Sequence, residues 1–176
     1  MILGAVLAGG QSSRFGSDKA LAKLAGQTLL SRAVANLSRW CDRVIVVGRE
    51  EAPVPCLPDW PRPGMGPLGG IAGALRHAEA EGFASVLTCG VDSVDLPQDL
   101  LDRLSPAPAF LESQPVIGHW NSDAASTVSA LLQSEGRHSM LAFAKAVNAR
   151  PAQAIHAPAN INTPADLAEL EQTHGI

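Results

Sequence analysis

The chain has 176 residues, of which 46% are hydrophobic, and its formal net charge at pH 7 is −4. This length and apolar content exclude a disordered chain and are enough to form a buried core, so we expect a single domain over residues 1–176. The negative charge argues against a general nucleic-acid binder.

The first half of the chain alternates strand patterns with helix patterns. Short continuous apolar runs predict strands covered on both faces, and apolar residues at three- and four-residue spacing predict helices. In chain order these are a strand over 1–6, a helix over 28–40, a strand over 44–47, a proline-rich loop over 52–65, a helix over 66–81 and a strand over 84–89. Strands that alternate with helices in this way pair in parallel.

The second half has a less regular pattern. The expected elements are a helix over 97–104, strands over 109–112 and 115–120, helices over 123–133 and 139–147, an edge strand over 150–157 and a helix from 164 to about 173. The two strands are close enough in sequence to form an antiparallel hairpin. We therefore predict a three-layer α/β/α fold, with a mostly parallel Rossmann-like sheet and a small antiparallel addition.

A glycine-rich loop follows the first strand, with the sequence Leu-Ala-Gly-Gly-Gln-Ser-Ser-Arg-Phe-Gly-Ser-Asp-Lys over residues 7–19. Such a loop exposes backbone N–H groups with no side chains in the way, and these groups can form a concave site for an anion. Arg14 and Lys19 add positive charge at the rim of the loop. This combination suits a phosphate chain.

Other glycine-containing motifs do not fit. A Walker loop needs Lys and then Ser or Thr directly after its last glycine, but Gly16 is followed by Ser17 and Asp18. The letters of a dinucleotide-binding G-x-G-x-x-G motif occur over 64–69, but the segment before them is rich in proline and is not a core strand. The absence of a G-x-S-x-G motif argues against covalent serine catalysis.

Three aspartates are candidates for the chemistry. Asp92 follows the strand over 84–89, where loops of a parallel sheet carry the site, and its carboxylate suits Mg²⁺ shared with substrate phosphates. Asp95 is either a second metal ligand or a helix cap, and the cap is favoured because Asp is common near helix starts. Asp59 is either a turn residue or an acceptor of hydrogen bonds from a ribose or a base.

Several short motifs together resemble the nucleotidyltransferases related to molybdenum cofactor guanylyltransferase, the MobA-like family. They are Leu-Ala-Gly-Gly, Arg-Phe-Gly and Asp-Lys in the first loop, Gly-Pro-Leu at 66–68 with an Asp seven residues before it, and Asn-Ile-Asn-Thr-Pro at 160–164. In that family an Asp after the third strand is a magnesium ligand, often in a Cys-Asp-x-Pro setting. Here Val91 precedes Asp92 and Val94 stands in the place of the proline, so the loop departs from the family pattern.

The resemblance implies a nucleotide-diphospho-sugar transferase-like fold and a set of site residues. Lys19, Arg14 and Asp92 would be catalytic, and Asp92 would hold Mg²⁺. The implied nucleotide-binding residues are Leu7, Ala8, Gly9, Gly10, Lys19, Asp59, Gly66 and Asp92. Asn160 and Asn162 would shape the acceptor side, with helix capping as the alternative role.

The implied reaction moves a GMP moiety from GTP to the terminal phosphate of molybdopterin, with Mg²⁺ as cofactor and pyrophosphate as product. Leu-Ala-Gly-Gly resembles the guanylyl branch, whereas cytidylyl relatives more often have Leu-Ala-Ala-Gly. The implied partners are GTP, a molybdopterin-type acceptor and molybdoenzyme maturation proteins. The alternatives are a related cytidylyl or sugar-phosphate nucleotidyltransferase or, because of the altered Asp92 loop, a non-catalytic nucleotide-binding accessory protein.

The cysteines and the amino-terminal run predict the compartment. Cys41, Cys56 and Cys89 are far apart and form no C-x-x-C pair, which fits a reducing compartment and argues against a disulfide framework or a zinc site. The amino-terminal apolar run is short and has no basic residue before it, which argues against a signal peptide. Since no stretch is long and apolar enough to span a bilayer, we expect a cytoplasmic protein with no membrane partner.

Overall fold

The computed structural model describes residues 1–9, 18–136, 138–154 and 159–173. Its strands are β1 (Ile2–Leu7), β2 (Lys23–Leu24), β3 (Gln27–Thr28), β4 (Arg43–Val47), β5 (Cys56–Leu57), β6 (Ser85–Gly90), β7 (Ser93–Val94), β8 (Ala109–Leu111), β9 (Gln114–Asn121), β10 (Arg150–Ala152) and β11 (Ala159–Asn160). Its α-helices are α1 (Leu29–Ser38), α2 (Pro67–Glu81), α3 (Leu100–Arg103), α4 (Ala125–Gln133), α5 (Met140–Ala146) and α6 (Pro164–Thr173). Short 3₁₀ helices lie at Lys19–Leu21 and Ser122–Ala124.

The main sheet contains seven strands in the order β10-β8-β9-β6-β1-β4-β5. β1 pairs in parallel with β4 on one side and with β6 on the other. β5 and β10 also pair in parallel with their neighbours, whereas β9 is antiparallel to both β6 and β8. The predicted parallel sheet with an antiparallel hairpin is therefore confirmed.

Helices cover both faces of this sheet because alternate residues of its central strands point to opposite sides. Leu3, Ala5 and Leu7 of β1 belong to one buried cluster together with residues of α2, α4 and α5. Val6 belongs to a second buried cluster with residues of α1. Trp120 is fully buried within the first cluster. The predicted three-layer α/β/α architecture is confirmed.

Most of the predicted elements are confirmed, and three expectations need correction. The proline-rich loop over 52–65 contains β5, which fits a proline-rich segment because it is a two-residue strand at the edge of the sheet. The helix expected from residue 97 begins at Leu100 and is preceded by Asp99, so the cap expected at Asp95 is wrong. The edge strand expected over 150–157 ends at Ala152, and residues 155–158 lie outside the described residues.

Two short ladders lie outside the main sheet and have no clear sequence signal. β2 and β3 form an antiparallel hairpin whose turn residues, Ala25 and Gly26, have φ values of 56° and 76°. β7 pairs antiparallel with β11, although the two strands are far apart in the chain. A small buried group lies with these ladders and α6, separate from the two main clusters. This satellite cluster consists of Leu24, Leu29, Val94 and Ile161, with Leu167 and Leu170 packed against it.

The predicted start of the last helix is confirmed. The Thr163 hydroxyl accepts a hydrogen bond from the Asp166 N–H at 3.2 Å. The Asp166 carboxylate in turn accepts hydrogen bonds from the N–H groups of Asn162 and Thr163, each at 3.0 Å, and these bonds lower the pKa of Asp166. Reciprocal bonds of this kind satisfy amides that a helix start leaves unpaired. Among the described helices, none has the length and apolar content to cross a membrane.

Candidate functional site

The candidate site lies at the carboxyl ends of β1, β4 and β6. β1 and β6 are adjacent, and Leu7 at the end of one lies opposite Gly90 at the end of the other. The chain runs from β1 to β4 on one side and returns to β6 on the other side, so the strand order reverses here. Loops that leave a sheet at such a reversal diverge and open a crevice for ligands.

Lys19 and Asp92 face each other across this crevice, as the sequence leads us to expect. Lys19 Nζ lies 3.4 Å from Asp92 Oδ2, and the two side chains are 17% and 28% exposed. Because an ion pair that water reaches adds only about 0–1 kcal/mol to stability, this pair contributes little to the fold. It does bring one cation and one anion to the place where the strand order reverses.

Local contacts fix the loop that carries Asp92. The Asp92 carbonyl accepts a hydrogen bond from the Ile161 N–H at 2.9 Å. The next residue, Ser93, is buried, and its hydroxyl donates to Gln114 Oε1 at 3.1 Å. Gly90 leaves room for the Asp92 carboxylate, since a Cβ at Gly90 would lie 2.6 Å from Asp92 Oδ1. The carboxylate therefore projects from a backbone that is held on several sides.

The donor set at Asp92 fits a metal that is shared with a substrate. Within the described residues, no group of three or more His, Cys, Asp or Glu side chains could hold a metal ion by itself. Mg²⁺ does not need such a group, because it often takes one or two carboxylates together with phosphate oxygens and waters. Asp92 can supply that carboxylate, with the remaining ligands provided by a bound phosphate chain and solvent.

Two glycines allow the loops after β1 and β4 to touch. A Cβ at Gly48 would lie 2.5 Å from the Cα and the N of Gly9, and Gly48 has a φ of +94°. A side chain at Gly48 would therefore both strain the backbone and push the loops apart. Gly9 and Gly48 consequently form a floor without side chains between the two loops.

Two adjoining pockets open above this floor, and both are lined by Gly9, Gly48 and Arg49. The first, which we call the Lys19 pocket, has a volume of about 350 Å³ and is also lined by Leu7, Ala8, Lys19 and Asp92. The second, which we call the Asp59 pocket, has a volume of about 550 Å³ and is also lined by Leu57, Pro58, Asp59 and Gly64. Together they form one cleft with a charged end and a less charged end.

Asp59 is half-buried among glycines at the first turn of α2. A Cβ at Gly9 would lie 3.5 Å from each of its carboxylate oxygens, and a Cβ at Gly69 would lie 3.5 Å from Asp59 Oδ2. No described residue donates a hydrogen bond to this carboxylate, and burial raises the pKa of Asp59 above its usual value. An ionisable group that is perturbed in this way, in a pocket, is a candidate for binding a ligand.

Arg49 is a functional candidate that the sequence motifs do not indicate. Its Nη1 donates hydrogen bonds to both carboxylate oxygens of Asp18, at 2.9 and 2.8 Å. This ion pair joins the loop after β4 to the residue that precedes Lys19. The position of Arg49 directly after Gly48, at the carboxyl end of a predicted strand, is the sequence signal that could have identified it.

The remaining residues predicted for the nucleotide side are placed as follows. Leu7 and Ala8 line the Lys19 pocket. Gly66 precedes α2 with a φ of 74°, and α2 begins there without a side-chain cap. Arg14 and Gly10 lie outside the described residues.

The residues predicted for the acceptor side lie close to the Asp92 loop through their backbone. Asn160 pairs with Ser93 in the β7–β11 ladder. Asn162 donates its backbone N–H to Asp166 at the start of α6. Asp95, in contrast, has a φ of 56° and lines a separate pocket with Arg32 on α1, so the structure does not bring it to the Lys19 pocket.

Comparisons with known sequences give one consistent family. The model of the MobA-like NTP transferase domain matches residues 4–159. The chain is 35% identical over 182 aligned residues to the molybdenum cofactor guanylyltransferase of Rhodobacter capsulatus, covering 97% of this chain and 95% of that protein. It is 36% identical over 180 aligned residues to a probable molybdenum cofactor guanylyltransferase of Deinococcus radiodurans, covering 94% and 92%.

Comparisons with solved structures support the same fold. The molybdopterin-guanine dinucleotide biosynthesis protein A of Archaeoglobus fulgidus superposes with a TM-score of 0.76 and 22% identity, covering 99% of this chain and 98% of that chain. The 2-C-methyl-D-erythritol 4-phosphate cytidylyltransferase of Thermus thermophilus gives a TM-score of 0.61 and 16% identity, covering 100% and 98%. The predicted nucleotide-diphospho-sugar transferase-like fold is confirmed, and at these identities the likeness concerns the fold alone.

Proposed function

The chain belongs to the MobA-like NTP transferase family and is a nucleotidyltransferase, and from this premise we propose that it transfers a GMP moiety from GTP to the terminal phosphate of molybdopterin. The names of the relatives in Rhodobacter capsulatus and Deinococcus radiodurans support guanylyl transfer within molybdenum cofactor synthesis. The observation that carries the proposal is the Lys19–Asp92 pair, 3.4 Å apart in the pocket at the carboxyl ends of β1 and β6.

The two pockets divide the donor nucleotide between them. The triphosphate of GTP lies in the Lys19 pocket, where the Lys19 ammonium compensates its charge. The nucleoside lies in the Asp59 pocket, where the Asp59 carboxylate accepts hydrogen bonds from ribose hydroxyls or from guanine N–H groups. Because both pockets are lined by Gly9 and Gly48, no side chain of these two residues separates the two parts of the nucleotide.

The chemical step needs positioning and charge compensation more than acid–base chemistry. A phosphate oxygen of the acceptor attacks the α-phosphorus of GTP, so that a new P–O bond forms. The bond from the α-phosphorus to the oxygen bridging to the β-phosphate breaks, and pyrophosphate leaves with that electron pair. The attacking phosphate is already ionised at neutral pH, so no protein base has to remove a proton. Lys19 contributes by holding the phosphates in place and offsetting their charge.

Asp92 is the residue that would hold Mg²⁺ in this site, together with phosphate oxygens. When bound, Mg²⁺ would neutralise charge on the phosphates of the donor. The Asp92 carboxylate would stay at the crevice for two reasons. The Ile161 N–H binds the Asp92 carbonyl and so holds the backbone, and Gly90 has no side chain that would displace the carboxylate. The side chain of Asp92 thus has a binding role and no proton-transfer role in this proposal.

The direct test is pyrophosphate release by the purified protein with molybdopterin, Mg²⁺ and each of GTP, CTP, ATP and UTP. We expect release with GTP, a guanine dinucleotide product by mass spectrometry, and rates lower by on the order of 10²-fold with CTP, because buried hydrogen-bonding groups discriminate strongly. Preferred turnover of CTP would identify a cytidylyltransferase instead. Binding of GTP without pyrophosphate release would identify a non-catalytic nucleotide-binding protein.

A further inference from the structure

We infer that Ile161 is a positioning residue, which sets where Asp92 lies relative to Lys19 through the satellite cluster and the β7–β11 ladder. This inference rests on the proposed function, because it assigns Ile161 a part in the transfer reaction. Ile161 is the middle residue of the Asn-Ile-Asn segment, whose two asparagines were the expected acceptor residues. The structure indicates that Ile161, the apolar residue between them, has a different role, which is to position the Asp92 loop.

The first observation is a continuous backbone connection between the two segments. Ile161 donates its N–H to the Asp92 carbonyl at 2.9 Å. The two residues before Ile161 pair with the two residues after Asp92, as Asn160 with Ser93 and Ala159 with Val94. Three consecutive residues that begin at Asp92 are therefore held by three consecutive residues that end at Ile161.

The second observation is where the side chain of Ile161 lies. Ile161 is fully buried in the satellite cluster, beside Val94 from the Asp92 loop and Leu24 from the hairpin. Leu24 follows Lys19 after a single 3₁₀ turn. The chain segments that carry the two members of the Lys19–Asp92 pair therefore lead into the same small cluster, which Ile161 completes.

The third observation is that this cluster is separate from the two clusters on the faces of the main sheet. Small groups with few buried contacts open at lower free-energy cost than a domain core. A cavity in the satellite cluster should therefore loosen the Asp92 loop while the main sheet stays intact. A displacement of about 1 Å in a catalytic group can lower a rate by about 10²-fold, so a loosened loop should lower kcat.

The test compares full-length wild type, Ile161→Ala, and the control Leu132→Ala, which removes a similar buried side chain from α4 in the first main cluster. We expect Ile161→Ala to lower kcat by about tenfold, with the KM for GTP within about twofold of wild type, because it misplaces a group without removing one. Hydrogen exchange of the peptide over 91–95 should become about tenfold faster, with no change over β1. Ile161→Val should restore both readouts most of the way to wild type.

Leu132→Ala should leave kcat and the exchange of 91–95 near wild type. If Ile161→Ala does not fold, Leu170→Ala provides a milder version at the rim of the satellite cluster, with a loss of kcat of about threefold in the same direction. The inference is overturned if exchange over 91–95 is unchanged in the cluster variants, if Leu132→Ala lowers kcat equally, or if the loss appears in the KM for GTP alone. A wild type that releases no pyrophosphate from GTP defeats the proposed function, whereas the exchange arm still decides whether Ile161 holds the Asp92 loop.

Discussion

The two pockets of the cleft surround their carboxylates in different ways. In the Lys19 pocket, Asp92 faces an ammonium group 3.4 Å away. In the Asp59 pocket, the carboxylate is half-buried among glycines, receives no hydrogen bond from the described residues, and has a pKa raised by burial. Charges of both signs line both pockets, because Arg49 is shared. The first pocket places an ammonium group beside its carboxylate and suits a metal with phosphates, whereas the second presents an acceptor with no donor among the described residues and suits a ligand with O–H or N–H donors.

This difference has a consequence for stability. An ion pair that water reaches changes the free energy of unfolding little, so the Lys19 pocket should neither stabilise nor destabilise the free protein appreciably. The half-buried Asp59 carboxylate receives no hydrogen bond from the part of the chain that the structure describes, and burial is unfavourable when it is ionised, so the Asp59 pocket should weaken the free protein. Sites that are unfavourable for folding and necessary for binding are expected where function rather than stability selects the residue.

The largest expected effect is the loss of turnover in Asp92→Asn. We expect kcat to fall by about 10²–10³-fold, because the variant loses the charge that would hold Mg²⁺ against the phosphates. The melting temperature should change little, since the ion pair with Lys19 is weak. Pyrophosphate release and thermal unfolding measure the two effects. The control is Asp95→Asn, which lies three residues further on in a separate pocket and should keep wild-type turnover; normal turnover in Asp92→Asn would show that the metal assignment is wrong.

Lys19→Ala should have the second largest effect. We expect kcat/KM for GTP to fall by about 10- to 10²-fold, because a positive charge next to the phosphates is lost. The affinity for GTP should also depend less steeply on salt concentration, since an electrostatic contact has been removed. Titration calorimetry at two ionic strengths measures this. Lys19→Arg keeps the charge and should recover part of the affinity; an unchanged salt dependence in Lys19→Ala would place the triphosphate elsewhere.

Asp59→Asn should move binding and stability in opposite directions. The KM for GTP should rise by about tenfold, because a charged acceptor is replaced by a neutral one. Burial raises the folded-state pKa of Asp59 above the usual value of 3.8, so the stability that its protonated form contributes is full below pH 3.8 and is lost as the pH rises through the folded-state pKa. At neutral pH the variant should therefore melt above wild type.

The pH dependence separates this explanation from a general gain in packing. The difference in melting temperature between Asp59→Asn and wild type should shrink as the pH is lowered through the folded-state pKa of Asp59, because wild type then becomes protonated as well. Thermal unfolding over a pH series measures it. A variant that is less stable than wild type at neutral pH would show that the carboxylate has a stabilising partner in the free protein.

The smallest expected effect is at Arg49, which lines both pockets. Arg49→Gln breaks the ion pair with Asp18 and should raise the KM for GTP by about three- to tenfold with little change in kcat, because the pair positions Asp18, the residue directly before Lys19. Steady-state kinetics measures the split. Arg43→Gln, at the opposite end of β4, is the matched control and should behave as wild type. A fall in kcat with an unchanged KM would indicate instead that Arg49 acts in the chemical step.

The sequence predicts the central strands and helices of the fold, because these elements depend on the spacing of apolar residues along short stretches of chain. The apolar runs of β1, β4 and β6 identify strands buried on both faces, and parallel pairing then places the ends of β1 and β6 side by side. This pairing brings the loops that carry Lys19 and Asp92 to the same edge of the sheet. The pairing of β7 with β11 does not follow from any local pattern, because two-residue strands far apart in the chain carry no periodicity.

The sequence did not identify Ile161 or Arg49, and in both cases the reason is that the relevant contacts join segments far apart in the chain. The role of Ile161 depends on a ladder between strands far apart in the chain and on a separate buried cluster. The residues next to Ile161 in the sequence therefore carry no pattern that indicates this role. Arg49 looks like an ordinary surface charge until the loops after β1 and β4 are seen to touch at Gly9 and Gly48. At Asp95 the sequence predicts a role that the structure does not show. An Asp shortly before a proline favours a helix cap, but α3 begins only after Asp99.

The most direct test of the two-pocket account is a crystal structure with a non-hydrolysable GTP analogue and Mn²⁺, whose anomalous scattering locates the metal. We expect the metal peak within about 2.0–2.3 Å of an Asp92 carboxylate oxygen, with the triphosphate beside Lys19 and the nucleoside in contact with Asp59. A triphosphate in the Asp59 pocket, or a metal bound away from Asp92, would contradict it.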